Sequence, residues 1–166
     1  MKKLLFYSFC VLAIFNSCKK NSSSTGSGSI SAMVNGNTKT FNTDAVATLS
    51  NAGGIYSLLV KGIGYSSGDT SSISILVGKS NPITTGVYTP VGTAGVPVSV
   101  TYSPGYDREY SNDTARYSYQ PEVTITSISN SNVQGTFSGN LILYSGKTLV
   151  MSQSIGSGSF NVNIQR

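Results

Sequence analysis

From Ser29 to Arg166 apolar and polar residues alternate in short runs, each ended by Gly, Ser, Asn or Pro. A period of two puts successive side chains on opposite faces of a strand, and no window sustains the period near 3.6 that a helix needs. Ile30-Ser31-Ala32-Met33-Val34 is the first run, Asn35-Gly36-Asn37 turns it, and Lys39-Thr40-Phe41 returns. An Asn-Gly between alternating runs marks a hairpin, because both residues accept positive φ. Ala45 to Leu49 and Ile55 to Ile63 pair about the turn Asn51-Ala52-Gly53-Gly54, and Ser66-Ser67-Gly68-Asp69 leads into Ile73 to Val77. Gly86-Val87-Tyr88, Val96 to Tyr102, Glu122 to Thr126, Val133 to Phe137, Leu141 to Tyr144, Thr148 to Met151 and Ser159 to Ile164 complete the series. The pattern predicts an all-β domain: an antiparallel meander of about ten short strands, forming a β-sandwich or a flattened lipocalin-like barrel. Polar Ser and Thr on one face of the runs suit a sheet solvated on that side.

The first 28 residues break this pattern. Lys2 and Lys3 precede an apolar stretch from Leu4 to Phe15, and Asn16-Ser17-Cys18 follows. The stretch is shorter than the roughly 20 residues needed to span a bilayer and has the length of a secretory h-region. The arrangement resembles a bacterial lipoprotein signal, which implies cleavage after residue 17 and a lipid on Cys18. Phe15, Asn16 and Ser17 depart from the usual small or Leu-like residues, and the alternative is an ordinary signal peptide that leaves Cys18 a free thiol. Lys19 to Gly28, KKNSSSTGSG, carries no apolar residue and reads as a flexible linker. The expected organisation is therefore a signal peptide at 1–17, a lipidated Cys18 and linker at 18–28, and one domain at 29–166.

That leader changes the meaning of the composition. The formal charge is +5 from 11 Lys plus Arg and 6 Asp plus Glu, but Lys2, Lys3, Lys19 and Lys20 lie outside the domain. Removing four from 11 leaves seven cations against six acids from Ser29 onward. A nucleic-acid binder should carry its basic patch on the folded part, so nucleic acid is not expected as a partner. Cys10 falls in the signal and Cys18 at its end, which leaves the domain without disulfide, thiol nucleophile or cysteine metal site. With no histidine in the chain, a Ser-His-Asp triad and a histidine-ligated metal are excluded too. The expected cofactor and metal are none, apart from the covalent lipid on Cys18.

Several of the strand motifs recur together. Ser31 to Gly36 (SAMVNG), Gly86-Val87-Tyr88, Glu122 to Thr126 (EVTIT), Gln134 to Ser138 (QGTFS) and Gly158-Ser159-Phe160 stand in an order similar to that of a family of small Bacteroidetes lipoproteins. The resemblance covers about 30 to 164. It implies an all-β domain behind a lipoprotein signal, at the outer membrane of the cell envelope, and brings no catalytic residues with it. Surface-exported members of such lipoproteins carry acidic residues after the cysteine. Lys19-Lys20-Asn21 does not match, so a periplasmic and a surface-facing orientation both stay open.

Candidate chemistry concentrates between residues 102 and 119. Tyr102, Tyr106, Tyr110, Tyr117 and Tyr119 make up half of the ten tyrosines. Tyrosine offers a flat apolar face and a hydroxyl at small entropic cost, which suits recognition. Tyr102, Tyr117 and Tyr119 read as strand residues at edges with their hydroxyls in water. Tyr106 and Tyr110, interleaved with Asp107, Arg108 and Glu109, read as a candidate ligand-binding loop for a glycan, a peptide or an envelope protein. Asp107, Glu109 and Asp113 also raise a glycosidase, which needs two carboxyls roughly 5–9.5 Å apart, and a calcium site, although their spacing matches no EF-hand. Asp113-Thr114-Ala115 is similar to the O-glycosylation pattern of exported Bacteroidetes proteins, which makes Thr114 a candidate glycan acceptor. Val77-Gly78-Lys79-Ser80 ends like a phosphate loop, but Ile73 stands where its first glycine should be and Pro82 blocks the following helix.

These readings converge on a lipid-anchored envelope protein whose domain is a non-enzymatic binding or assembly module. The alternative is a lipocalin-like carrier of a small apolar ligand, with a carbohydrate-active hydrolase behind it. A carrier needs a hollow interior, whereas a sandwich fills the space between its sheets with aliphatic side chains.

Overall fold

The computed structural model describes residues 28–66, 68–90, 97–105, 108–112, 120–145 and 148–166, and among them the regular structure is entirely β. Eleven strands form: β1 (Ser29–Val34), β2 (Asn37–Thr40), β3 (Thr43–Ala52), β4 (Ile55–Ser66), β5 (Asp69–Lys79), β6 (Gly86–Tyr88), β7 (Val98–Pro104), β8 (Tyr110–Ser111), β9 (Glu122–Ile128), β10 (Asn132–Ser145) and β11 (Thr148–Gln165). Cys18 and the expected signal peptide and linker, apart from Gly28, lie outside the described residues.

Hairpin turns form where the Gly-containing dipeptides predict them. Asn35 and Gly36 have φ of 47° and 80°, and Gly53 and Gly54 have 60° and 80°. Two consecutive positive φ values make the I′ turn whose twist matches the flanking strands.

The strands join into one ring-like sheet, flattened so that two layers face each other. One layer is β6-β9-β10-β11-β1-β2 and the other is β3-β4-β5-β7-β8. The layers are linked at two corners, by β11 to β3 and by β10 to β8. Most neighbours are antiparallel, as the short connections predict, but Asn163 to Gln165 run parallel to Val46 to Thr48. Two pairs of predicted short strands are each one long strand. β10 continues from Val133 through Leu141 across Gly139 at φ 153°, and β11 continues from Thr148 through Ile164 across Ser157 at φ 47°. Gly139 and Ser157 lie on the two sides of one register slip between β10 and β11, and such a bulge bends the strands without ending them.

The space between the layers is filled. Ile30, Ala32, Val34, Val123, Ile125, Val133, Phe137, Leu141, Phe160 and Val162 come from one layer. Ala45, Ala47, Leu58, Val60, Ile73, Ile75, Val77, Val98, Val100, Tyr102 and Tyr110 come from the other. Two glycines make room for rings in this core. A Cβ on Gly135 would sit 2.4 Å from the Phe160 ring, and one on Gly158 would sit 2.7 Å from that of Phe137. Each ring thus lies over the glycine of the paired strand, and the two rings stack with centroids 6.5 Å apart. A second aromatic file, Phe41-Tyr102-Tyr110, runs through the other layer at 6.1 and 6.4 Å.

Both layers run in the same direction, so the loops gather at two ends. One end carries the β3–β4 turn, the loop after β5 and the β9–β10 turn. The opposite end carries the β1–β2 turn, the β4–β5 turn, the β7–β8 connection and the tip of the β10–β11 hairpin.

Candidate binding site

At that second end the chain lays β2 across the inner side of β4. The approach depends on Gly62 and Gly64, where a Cβ would come within 2.2 Å of the Phe41 carbonyl oxygen and 2.3 Å of the Thr40 carbonyl oxygen. No other residue leaves a backbone that space. Between the crossing strands lies an open cleft of about 330 Å³ lined by Asn37, Thr38, Lys39, Thr40, Gly64, Tyr65, Ser66 and Ser71.

Its lining is polar apart from one aromatic ring. Tyr65 is 67% exposed. Thr38, Thr40, Ser66, Ser71, Asn37 and Lys39 share the lining with it. An exposed aromatic face stacks on the apolar face of a sugar ring, while hydroxyl and amide groups exchange hydrogen bonds with its hydroxyls. Among the described residues the lining contains one cation and no carboxylate. Ser71 is buried at 8% exposure, at the floor, and is held in register between Gly64 and Pro104.

The residues singled out from the sequence are divided. Tyr110 begins β8 opposite Tyr102 and is 1% exposed, its hydroxyl donating to the Met151 sulfur at 3.4 Å. It is a core ring, and the expectation that it grips a ligand at the surface is corrected. The reason is its two-residue pairing with β7, which puts it on the inward side beside Tyr102. Tyr102 is a strand residue as expected, but at 2% exposure it stands in the core, against the reading of an edge residue in water. Arg108 and Glu109 are exposed just before β8. They follow Gly105, whose Cβ position would be 3.9 Å from the Thr70 carbonyl oxygen, so they share the end of the molecule that holds the cleft. Tyr106, Asp107, Thr114, Tyr117 and Tyr119 lie outside the described residues, as does Asp113 of the calcium and glycosidase readings. Among the described residues no three of His, Cys, Asp and Glu are grouped to hold a metal ion.

Tyr65 was not visible as a site residue from its sequence. It extends the alternation of β4 like any strand tyrosine. The usable signal is Gly62-Ile63-Gly64, two glycines on one face of a strand, which marks a backbone crossing and hence the wall of a cleft.

A second polar surface spans the outer face of the other layer. Thr124, Thr136, Ser159, Ser31 and Thr40 stand in register across β9, β10, β11, β1 and β2. The Ser31 and Ser159 hydroxyls are 3.1 Å apart. This row ends at Thr40, which also lines the cleft.

Comparison with protein-family models, curated proteins and solved structures finds no match to this chain. The functional reading stands on the molecule's own geometry.

Proposed function

We propose that the chain is a non-enzymatic recognition module, held at the outer membrane by a lipid on Cys18, that binds a glycan in the cleft around Tyr65. The observation that carries the reading is the cleft's composition: among the described residues its lining combines the two-thirds exposed Tyr65 with four hydroxyl residues, one amide and one cation. The row of in-register hydroxyls that runs into it supplies further partners for a polymer longer than the cleft. Arg108 and Glu109, at the same end, add charge for a substituted sugar. The filled space between the layers supports surface recognition over carriage of an apolar ligand inside the ring.

The test is calorimetric titration of the detergent-solubilised mature protein with a panel of cell-wall and capsular oligosaccharides. Binding to at least one member should weaken about tenfold in Tyr65→Ala, the loss of about 1.4 kcal/mol expected for a stacked ring. Binding that Tyr65→Ala leaves unchanged, or a peptide ligand instead of a glycan, overturns the reading.

A further inference from the structure

The end opposite the cleft carries an apolar groove of about 310 Å³ between the β3–β4 hairpin and the loop after β5. Leu49, Tyr56, Pro82 and Ile83 line it, and Ile55 at the hairpin tip is 44% exposed, Leu49 40%. The loop is fastened in place: the Tyr88 hydroxyl donates to the Thr84 carbonyl oxygen at 2.7 Å and accepts from the Thr84 N–H at 3.1 Å. That holds Ile83 against the core, with only its outer side open.

We infer that this end of the domain docks on the membrane surface. The inference rests on the lipid anchor proposed above and adds which face meets the lipid. The route of the chain decides the face. Gly28 sits against Ala45 and Val162, so the linker from Cys18 arrives there. Ten linker residues reach at most about 36 Å. In the direction of the cleft, the β10–β11 hairpin runs on from Val162 back to Thr148, 14 residues or about 46 Å at strand rise. That path, bent at its register slips, is still more than twice as long as the path to the opposite end, so with the cleft end down the linker would be drawn towards its full extension. In the other direction the hairpin tip at Ala52 is six residues past Val46, about 20 Å. That offset is well within the reach of ten residues, so the anchored chain brings Ile55 and Leu49 to the lipid.

Charge agrees with this orientation. Lys79, paired with Tyr56, and Arg166, which donates to the Asn130 carbonyl oxygen, lie at the groove end. Among the described residues the carboxylates Asp44, Asp69, Glu109 and Glu122 all lie from the level of Ala45 towards the cleft end. A cationic end favours anionic headgroups. Two half-exposed aliphatic side chains would not hold a free protein on a membrane. Once the lipid makes the contact intramolecular, at an effective concentration of about millimolar, weak partitioning is enough.

The experiment uses the lipidated protein in vesicles of phosphatidylethanolamine and phosphatidylglycerol. An environment-sensitive fluorophore is placed on Ile55→Cys in one sample and on Ser66→Cys in another, with unchanged circular dichroism confirming the fold. Because Cys18 carries the lipid, each label is unique. The label at 55 should shift to the blue and be quenched by nitroxide on the acyl chains, and the label at 66 should do neither. Lys79→Glu should reduce the quenching at 55. If the protein floats with the vesicles while the label at 55 stays in water, or the label at 66 is quenched, the docking face is wrong and the anchor stands. If the protein does not float and carries no lipid, the anchor fails and the docking inference falls with it.

Discussion

At the scale of single residues, glycines decide where rings and strands can go. Gly135 and Gly158 carry no side chain because Phe160 and Phe137 occupy the space above them. Gly135→Ala should therefore destabilise the fold by about 1–3 kcal/mol, the usual cost of overpacking, read as a lower midpoint in urea unfolding with an unchanged slope. Tyr110 makes the converse case. Its ring is buried against Tyr102, while its hydroxyl has only a sulfur acceptor at 3.4 Å. Thioether sulfur is a weak acceptor, so Tyr110→Phe should cost less than about 1 kcal/mol and Tyr110→Ala about 3–5 kcal/mol. Equal losses in the two variants would show that the hydroxyl, and not the ring, holds this position. Tyr106 and Tyr110 look alike in sequence; what separates Tyr110 from the loop is a two-residue strand that no alternation announces.

At the scale of elements, local grammar was legible and long-range pairing was not. The Asn35-Gly36 turn could be read directly, since positive φ at two consecutive positions is a local requirement. Gly36→Val should strain it and loosen β2, which closes the Tyr65 cleft. Faster amide exchange confined to β1 and β2 would be the signature, and unchanged exchange there would contradict the role given to this turn. The continuity of β10 and β11 could not be read, because the bulge shared by Gly139 and Ser157 interrupts the alternation without interrupting either strand. Nor could the parallel contact of β11 with β3 be read, as it joins residues more than a hundred positions apart and leaves no local mark. The Tyr65 cleft was hidden for the same reason: its walls are β2 and the far ends of β4 and β5, brought together by a crossing.

At the scale of the whole molecule, the last strand holds the fold together. β11 pairs with β10, β1 and β3, and supplies Ile155, Phe160 and Val162 to the core. Removal of residues 159–166 should abolish cooperative unfolding, whereas a clear thermal transition in the truncated chain would contradict the ring closure. The same strand sets direction, since its β10 hairpin stands at the cleft end and its C-terminal half lies beside Gly28, where the linker arrives. The proposed attachment of the opposite end to the membrane presupposes that Cys18 carries the lipid. Mass spectrometry of the N-terminal peptide of the protein purified from membranes tests this most directly. The account predicts a chain that begins at Cys18 and bears the mass of a diacylglyceryl group, lost in Cys18→Ala. An unmodified Cys18 thiol, or a chain that retains residues 1–17, would contradict it.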